Sequence, residues 1–238
     1  RGEWGSFRVC GWMQDVHCVG FGMTELLFWK DAYMKEFEGR VVSVNGREVV
    51  LDRSCFFPQG GGQVGDMGFL NEVKVVDTRK DESYNVIHFL EGEAPFKVDE
   101  IVKGRIDWER RYRIMRLHSA AHVVYYLMIE TFGESCKLAS SGIVNEKKDI
   151  TDYLIDSFDR GKLVGVERRA NEIIKRGGEI RTWSDEQKPN YRYWEIDGFP
   201  KMPCGGTHPK RLEEIGEIIV QRGKKPGAGK ERIEILLR

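Results

Sequence analysis

Two periodicities divide the chain. From Phe37 to Asp107 apolar residues come in short runs broken by polar turns. EGRVVSV runs into Asn45-Gly46, a strong hairpin signal, and then into REVVLD. After the glycine-rich stretch PQGGGQVGDMG, GFLNEVKVVDTR and YNVIHFLEG each read as a strand, and VDEIVKGRID closes the series. Short strands at this spacing predict a small β-barrel, because a bare open sheet would leave edges unpaired. Glu109 to Arg113, ERRYR, is a charged junction, and beyond it the period changes. Ile114, Leu117, Ala121, Val124 and Met128 recur at helical spacing through about Phe132, and Gly133 ends the run. A second helical pattern covers Leu163 to Lys175 and stops at Gly177-Gly178. EIRTW and YRYWEIDGF read as strands, as do GEIIVQR and ERIEILL on either side of the loop GKKPGAGK. The last two form a hairpin or two neighbouring strands. The pattern predicts a small β-barrel domain over 23–110, followed over 111–238 by an α+β domain of antiparallel sheet and packed helices.

The first 22 residues have no clean period, and MTELLFWKDAY reads like a natural start at Met23. Residues 1–22 are therefore expected to be an atypical N-terminal extension. A sharper alternative makes Cys10, His17 and Cys18 metal ligands, but it lacks the CxxC pair of common zinc sites.

Composition narrows the partners. Formal net charge is zero, so any case for nucleic-acid binding must be local. No run of about 18 apolar residues occurs, so no membrane span is expected. The five cysteines, at 10, 18, 55, 136 and 204, are odd in number and irregular in spacing. That fits reduced thiols in a cytoplasmic protein better than a disulfide scaffold.

Candidate chemistry begins in RLHSAAHV. His118 and His122 stand four apart, one above the other on one helix face, so both imidazoles can reach one ion. The intervening Ser-Ala-Ala lacks the glutamate of a zincin, so no general base is built in. Alone, the pair fits satisfied core histidines equally well. MPCGGTHPKR supplies a second pair, Cys204 and His208, around two glycines that allow a tight turn. One thiolate and three imidazoles match a single tetrahedral Zn2+ per chain. Such an ion would clamp helix to loop. Four ligands would close its shell, whereas catalysis normally needs an open position; the sequence does not choose.

PQGGGQVGD contains GGQ, a tripeptide that peptide release factors use at the ester of a tRNA. The plain alternative is a barrel turn that needs glycine for its dihedrals. Lys210 and Arg211 follow His208, and Arg110, Arg111, Arg113 and Arg116 lead into the histidine helix. Arg222, Lys224, Lys225, Lys230 and Arg232 crowd the tail. These runs read either as solvated faces or as phosphate contacts flanking both ligand pairs.

Taken together, FFPQGGGQVGDMGFL, RLHSAAHVV and MPCGGTHPKRLEEIG resemble the AlaX family, free-standing relatives of the editing domain of alanyl-tRNA synthetase. The resemblance runs from about Met23 to the C-terminus, and its order is similar to the medium-length form, a barrel preceding an editing domain. It implies an aminoacyl-tRNA deacylase that hydrolyses mischarged tRNA(Ala), chiefly seryl-tRNA(Ala) and in some members glycyl-tRNA(Ala). It implies Zn2+ on His118, His122, Cys204 and His208, and the tRNA(Ala) acceptor end as partner, with no role for DNA or a membrane. It does not separate monomer from dimer. The family's helix motif reads close to HTATH, so Ser119 keeps a hydroxyl where Ala121 does not. LASSGIVNEKKDITDYL resembles a stretch that lines the family's pocket, which makes Ser140 and Ser141 expected substrate contacts. Gly60, Gly61, Gly62 and Gln63 are expected near the acceptor end, with Ser119, Thr207, Lys210 and Arg211 as further contacts. Two alternatives stand beside this: a zinc-dependent hydrolase of a small ester or amide, and a non-catalytic RNA-binding module with structural zinc.

Overall fold

The computed structural model of the chain describes residues 24–140, 142–188 and 190–238. The readings of residues 1–22, with Cys10, His17 and Cys18, and of Ser141 fall outside the described residues. Six antiparallel strands close into a barrel in the order Glu36–Asn45, Glu48–Leu51, Val86–Leu90, Val73–Lys80, Gly68–Leu70 and Ile101–Ile106. Ile101–Ile106 pairs back onto Glu36–Asn45, so no barrel edge is left open. Alternation sends Val102 and Ile106 inward from one strand and Val86 and Leu90 from another. They join Val41, Val49, Leu51 and Val75 in or beside a core of their own.

Two details of the barrel differ from the pattern-based reading. The first hairpin turns at Gly46-Arg47 rather than at Asn45-Gly46, since Asn45 still pairs with Glu48. Gly46, at φ 58°, takes the first central position, where left-handed backbone favours glycine. GFLNEVKVVDTR is two strands, not one. Leu70 pairs with Val73, and the turn between them places Asn71 at φ 48°, a conformation asparagine tolerates.

The long helix spans Trp108–Phe132, six residues further upstream than its apolar period. Asp107 caps it by accepting from the Arg110 amide at 3.1 Å. The charged ERRYR residues are good helix formers, so they lie inside its first turns instead of forming a junction. Gly133 ends the helix as expected, at φ 87°. A second helix, Arg160–Arg176, starts on an Asp159 cap and ends at Gly177, φ 74°. Both helices share a core with the sheet strands: Leu117, Val124, Val166, Ala170, Ile218 and Ile233 belong to one buried cluster.

That sheet runs Ile143–Val144, Asp149–Leu154, Glu231–Leu237 and Ile218–Arg222, all antiparallel, with Lys137–Leu138 also pairing to Asp149–Leu154. A separate three-stranded sheet joins Ile180–Ser184, Arg192–Ile196 and Met202–Pro203. Ahead of the barrel, a short helix, Leu27–Lys30, sets Trp29 against the loop after Pro203. The Trp29 Nε1–H donates to the Gly205 carbonyl at 2.9 Å. Among the described residues no helix is long and apolar enough to cross a membrane.

Candidate metal centre

Each ligand pair is placed by ordinary local structure. Helical rise stacks His118 and His122, with ring centroids 4.8 Å apart. Opposite them, Met202–Pro203 pairs with Arg192–Ile196, and the Cys204 amide donates to the Arg192 carbonyl at 2.9 Å. That register aims Cys204 inward, and the glycine turn brings back His208. The four ligand atoms lie within 4.8 Å of one another. Cys204 Sγ is 3.6 Å from His118 Nε2 and 3.2 Å from His208 Nε2. All four side chains are buried, none more than 4% exposed.

The glycines between Cys204 and His208 act differently from the turn reading. Neither takes the left-handed backbone that would require glycine. At Gly206 the requirement is space: a Cβ there would lie 2.3 Å from His118 Cε1 and 2.9 Å from Gln63 Oε1.

Gln63 arrives from the barrel side. Gly60 and Gln63 exchange backbone hydrogen bonds of 3.0 Å around Gly61 and Gly62, at φ 56° and 84°. Positive φ at both central residues marks a type I′ turn, so these glycines are demanded by dihedrals. Gln63 is fully buried and its side chain faces the histidines. Its Oε1 accepts from the Thr207 amide at 3.0 Å and lies 2.9 Å from His118 Nδ1, while its Nε2 donates to Thr207 Oγ1 at 2.9 Å. A carboxamide oxygen only accepts, so His118 carries its proton on Nδ1 and offers the Nε2 lone pair to the cluster. On the other side, Ser119 Oγ lies 2.9 Å from His208 Nδ1. The ring of Trp194 packs against His122 at 4.9 Å between centroids.

Burial sets the protonation states. It pulls His118 down to about 3, and drives His122 and His208 well below the usual histidine value, with the neighbouring imidazoles adding to the effect. The three rings are therefore neutral near pH 7, the form that ligates a metal. Burial pushes the Cys204 thiol up to about 12, so a metal that took it as thiolate would displace a proton. One soft sulfur and three neutral nitrogens, with two Nδ1 atoms held from outside, form a donor set suited to zinc.

The remaining expected residues are scattered in role. Ser119 and Thr207 are buried, with their hydroxyls on His208 and Gln63. Gly61 is exposed at the turn, and Gly60 and Gly62 are half-buried. Ser140 is exposed. Lys210 and Arg211 are exposed but engaged: Lys210 lies 3.7 Å from Asp31 and over the Tyr33 ring, and Arg211 pairs with Glu213. The arginine run leading into the long helix is not a free basic face. Helical rotation turns Arg111 fully inward onto Asp66 and the Cys55 carbonyl. Arg110 meets Gly65 and Glu146, and Arg116 meets the Ile215 carbonyl. In the tail, Arg222 and Lys225 pair with Glu231, and Arg232 with Asp152. Sequence reasoning missed Gln63 as the partner of His118, because the two are 55 residues apart and nothing local signals their meeting.

The chain is similar to known proteins over most of its length. Residues 25–110 match the family model for class II (A) tRNA synthetases, and residues 192–234 match that for the threonyl and alanyl tRNA synthetase second additional domain. The alanyl-tRNA editing protein AlaX-M of Pyrococcus horikoshii is 37% identical, covering 90% of this chain and 98% of its own length. The AlaX-M protein of Saccharolobus solfataricus is 36% identical, covering 89% and 98% respectively. The alanine–tRNA ligase of Methanococcus maripaludis is 35% identical over 95% of this chain, which spans 27% of that longer protein. By full-length similarity to two such proteins, the chain belongs to the AlaX-M family of alanyl-tRNA editing proteins.

Proposed function

We propose that the chain is a zinc-dependent trans-editing hydrolase that deacylates mischarged tRNA(Ala) in the cytoplasm, chiefly seryl-tRNA(Ala) and after it glycyl-tRNA(Ala). The observation that carries this is convergence. His118 and Cys204, 86 residues apart, meet with His122 and His208 in one buried cluster in a chain of the AlaX-M family. Zinc held by those four residues would supply a Lewis acid. The chain's own part is to keep three imidazoles neutral and to fix the His118 tautomer through Gln63. Gln63, Ser119 and Thr207 are assigned as positioning residues, because their polar atoms are spent on ligands and on one another. Ser140 and Ser141 are the proposed contacts for the aminoacyl group, and the Gly60–Gly62 turn, Lys210 and Arg211 for the acceptor end. A pocket that hydrogen-bonds the serine hydroxyl rejects alanine by leaving its own polar groups unpaired.

The test is direct. With seryl-, glycyl- and alanyl-tRNA(Ala) as substrates, serine should be released fastest, alanine largely spared, and a zinc chelator should abolish turnover. Equal loss of serine and alanine sinks the editing assignment. Cys204→Ala should lower zinc content together with activity; full occupancy in that variant removes Cys204 from the ligand set. The closed, buried ligand set also favours a second reading, a tRNA-binding module with purely structural zinc. It requires tRNA binding with no turnover of any aminoacyl ester. A hydrolase of small esters, in turn, requires turnover without salt-dependent tRNA binding.

A further inference from the structure

Two arginines are buried among the described residues, and they differ in one respect. Arg111 has a carboxylate, Asp66, and the carbonyls of Cys55 and Ala32. Arg192, 8% exposed, has only two neutral hydroxyls: Nη1 donates to Ser184 Oγ at 2.9 Å and Nη2 to Thr182 Oγ1 at 3.4 Å. A guanidinium carries five N–H donors, so most of this fork has no acceptor among the described residues. A buried charge is normally retained only where an opposite charge meets it.

Its position points to the identity of that charge. Arg192, Trp194 and Ile196 face one side of their strand, and Trp194 packs on His122. The Arg192 carbonyl receives the Cys204 amide, so the residue borders the metal centre. Its guanidinium carbon lies 5.4 Å from the centre of the Trp29 ring, and Trp29 in turn holds the Gly205 carbonyl. The α-ammonium of an aminoacyl ester, itself a cation, is repelled by the guanidinium. What the end of an aminoacyl-tRNA offers instead is phosphate, whose oxygens match a guanidinium fork.

We infer that Arg192, backed by Thr182 and Ser184 and flanked by Trp29, anchors the phosphodiester on the 5′ side of the terminal nucleotide of an RNA substrate. This rests on the proposed tRNA specificity and names the group that seats the acceptor end beside the metal centre. Arg192 is thus a binding residue that sets where the ester lies.

The experiment uses the zinc-loaded full chain and two serylated substrates: an acceptor-stem minihelix of tRNA(Ala), and 3′-O-seryl adenosine, which has no phosphate. In Arg192→Gln the ratio of kcat/KM for the minihelix to that for seryl adenosine should fall about tenfold or more, mainly through KM. The salt slope of binding to uncharged minihelix should drop by about 1, the loss of one phosphate contact. Arg192→Lys should recover part of both. An unchanged ratio and slope, or equal losses on both substrates, would overturn the assignment, the second outcome marking a structural role. The wild-type protein supplies an arm that needs no variant: AMP should compete with minihelix at least tenfold better than adenosine, and equal competition counts against the anchor. If the wild type deacylates neither substrate, the editing reading fails, while the salt slope and the AMP comparison still decide the role of Arg192.

Discussion

Gln63 joins three groups through one carboxamide: the imidazole of His118, and the amide and hydroxyl of Thr207. Outer partners of metal ligands commonly shift metal affinity by about 10–100-fold. Gln63→Ala should weaken zinc binding within that range, measured by competition with a chromogenic chelator, while far-ultraviolet circular dichroism stays close to wild type. Retention of wild-type affinity would mean that packing alone orients His118. Gly206→Ala should be harsher, because its methyl group collides with the His118 ring itself, and the variant should lose stoichiometric metal. Both halves of the buried cluster were legible in the sequence as pairs four residues apart, His118 with His122 on a helix and Cys204 with His208 in a loop. Gln63 was read as a contact for the acceptor end, not as the partner of His118, and Trp194 and Arg192 were not read as part of the site. They reach the site from other elements, and their residue types carry no signal until the chain has folded. The same holds for the GGGQ loop. Its glycines do form the turn given as the plain alternative, and the inward direction of Gln63 depends on the pairing of its main chain with Val144.

The first turns of the long helix are fastened to the barrel side by the fully buried pair Arg111–Asp66, with Asp66 also accepting from the Phe57 amide at 2.6 Å. Removing one partner leaves a buried charge uncompensated, so Asp66→Ala should cost roughly 3–5 kcal/mol in denaturant unfolding. This pair explains why the helix start was misplaced in the sequence: the inward face of its first turns is occupied by an ion pair, which apolar periodicity cannot register. The strand Asp149–Leu154 holds a different buried acid. Asp149 is fully buried, and its Oδ2 accepts from Thr151 Oγ1 at 2.9 Å. Its Oδ1 has no hydrogen-bond partner among the described residues, and burial raises its pKa from 3.8 to about 7. Between those values the folded chain keeps a proton that the unfolded chain has released. Stability contributed at this position therefore falls as pH rises from about 4 to 7, and the deficit persists above 7. Asp149→Asn should leave unfolding unchanged below pH 4 and be progressively more stable than wild type toward pH 7. A difference between the two proteins that does not vary with pH would show that the carboxyl is not titrating in that window.

At the scale of the whole molecule, the buried His/Cys cluster sits where four separately placed segments meet. The long helix gives two of its side chains and the loop after Met202–Pro203 gives two more. The glycine turn reaches the same point through Gln63, and the short N-terminal helix reaches it through Trp29 and Gly205. Barrel and α+β core are otherwise distinct apolar clusters, so polar contacts at this junction do much of the joining. The sequence announced both cores through their different periods, but their mutual placement depends on side chains more than a hundred residues apart, such as Gln63 and Thr207. A ligand that binds only the folded chain stabilises it by mass action, about 4 kcal/mol when free metal exceeds its dissociation constant a thousandfold. For a chain of this size that corresponds to a melting shift of roughly 8–16 °C. Chelation should therefore lower the thermal midpoint of the wild type by that order, and restored zinc should return it. Cys204→Ala should melt near the stripped wild type and respond weakly to either treatment. A wild-type midpoint indifferent to chelator, with zinc shown to be removed, would mean that the junction holds by Gln63, Trp29 and Arg111 without the ion, and the role of the metal would then lie with substrate alone.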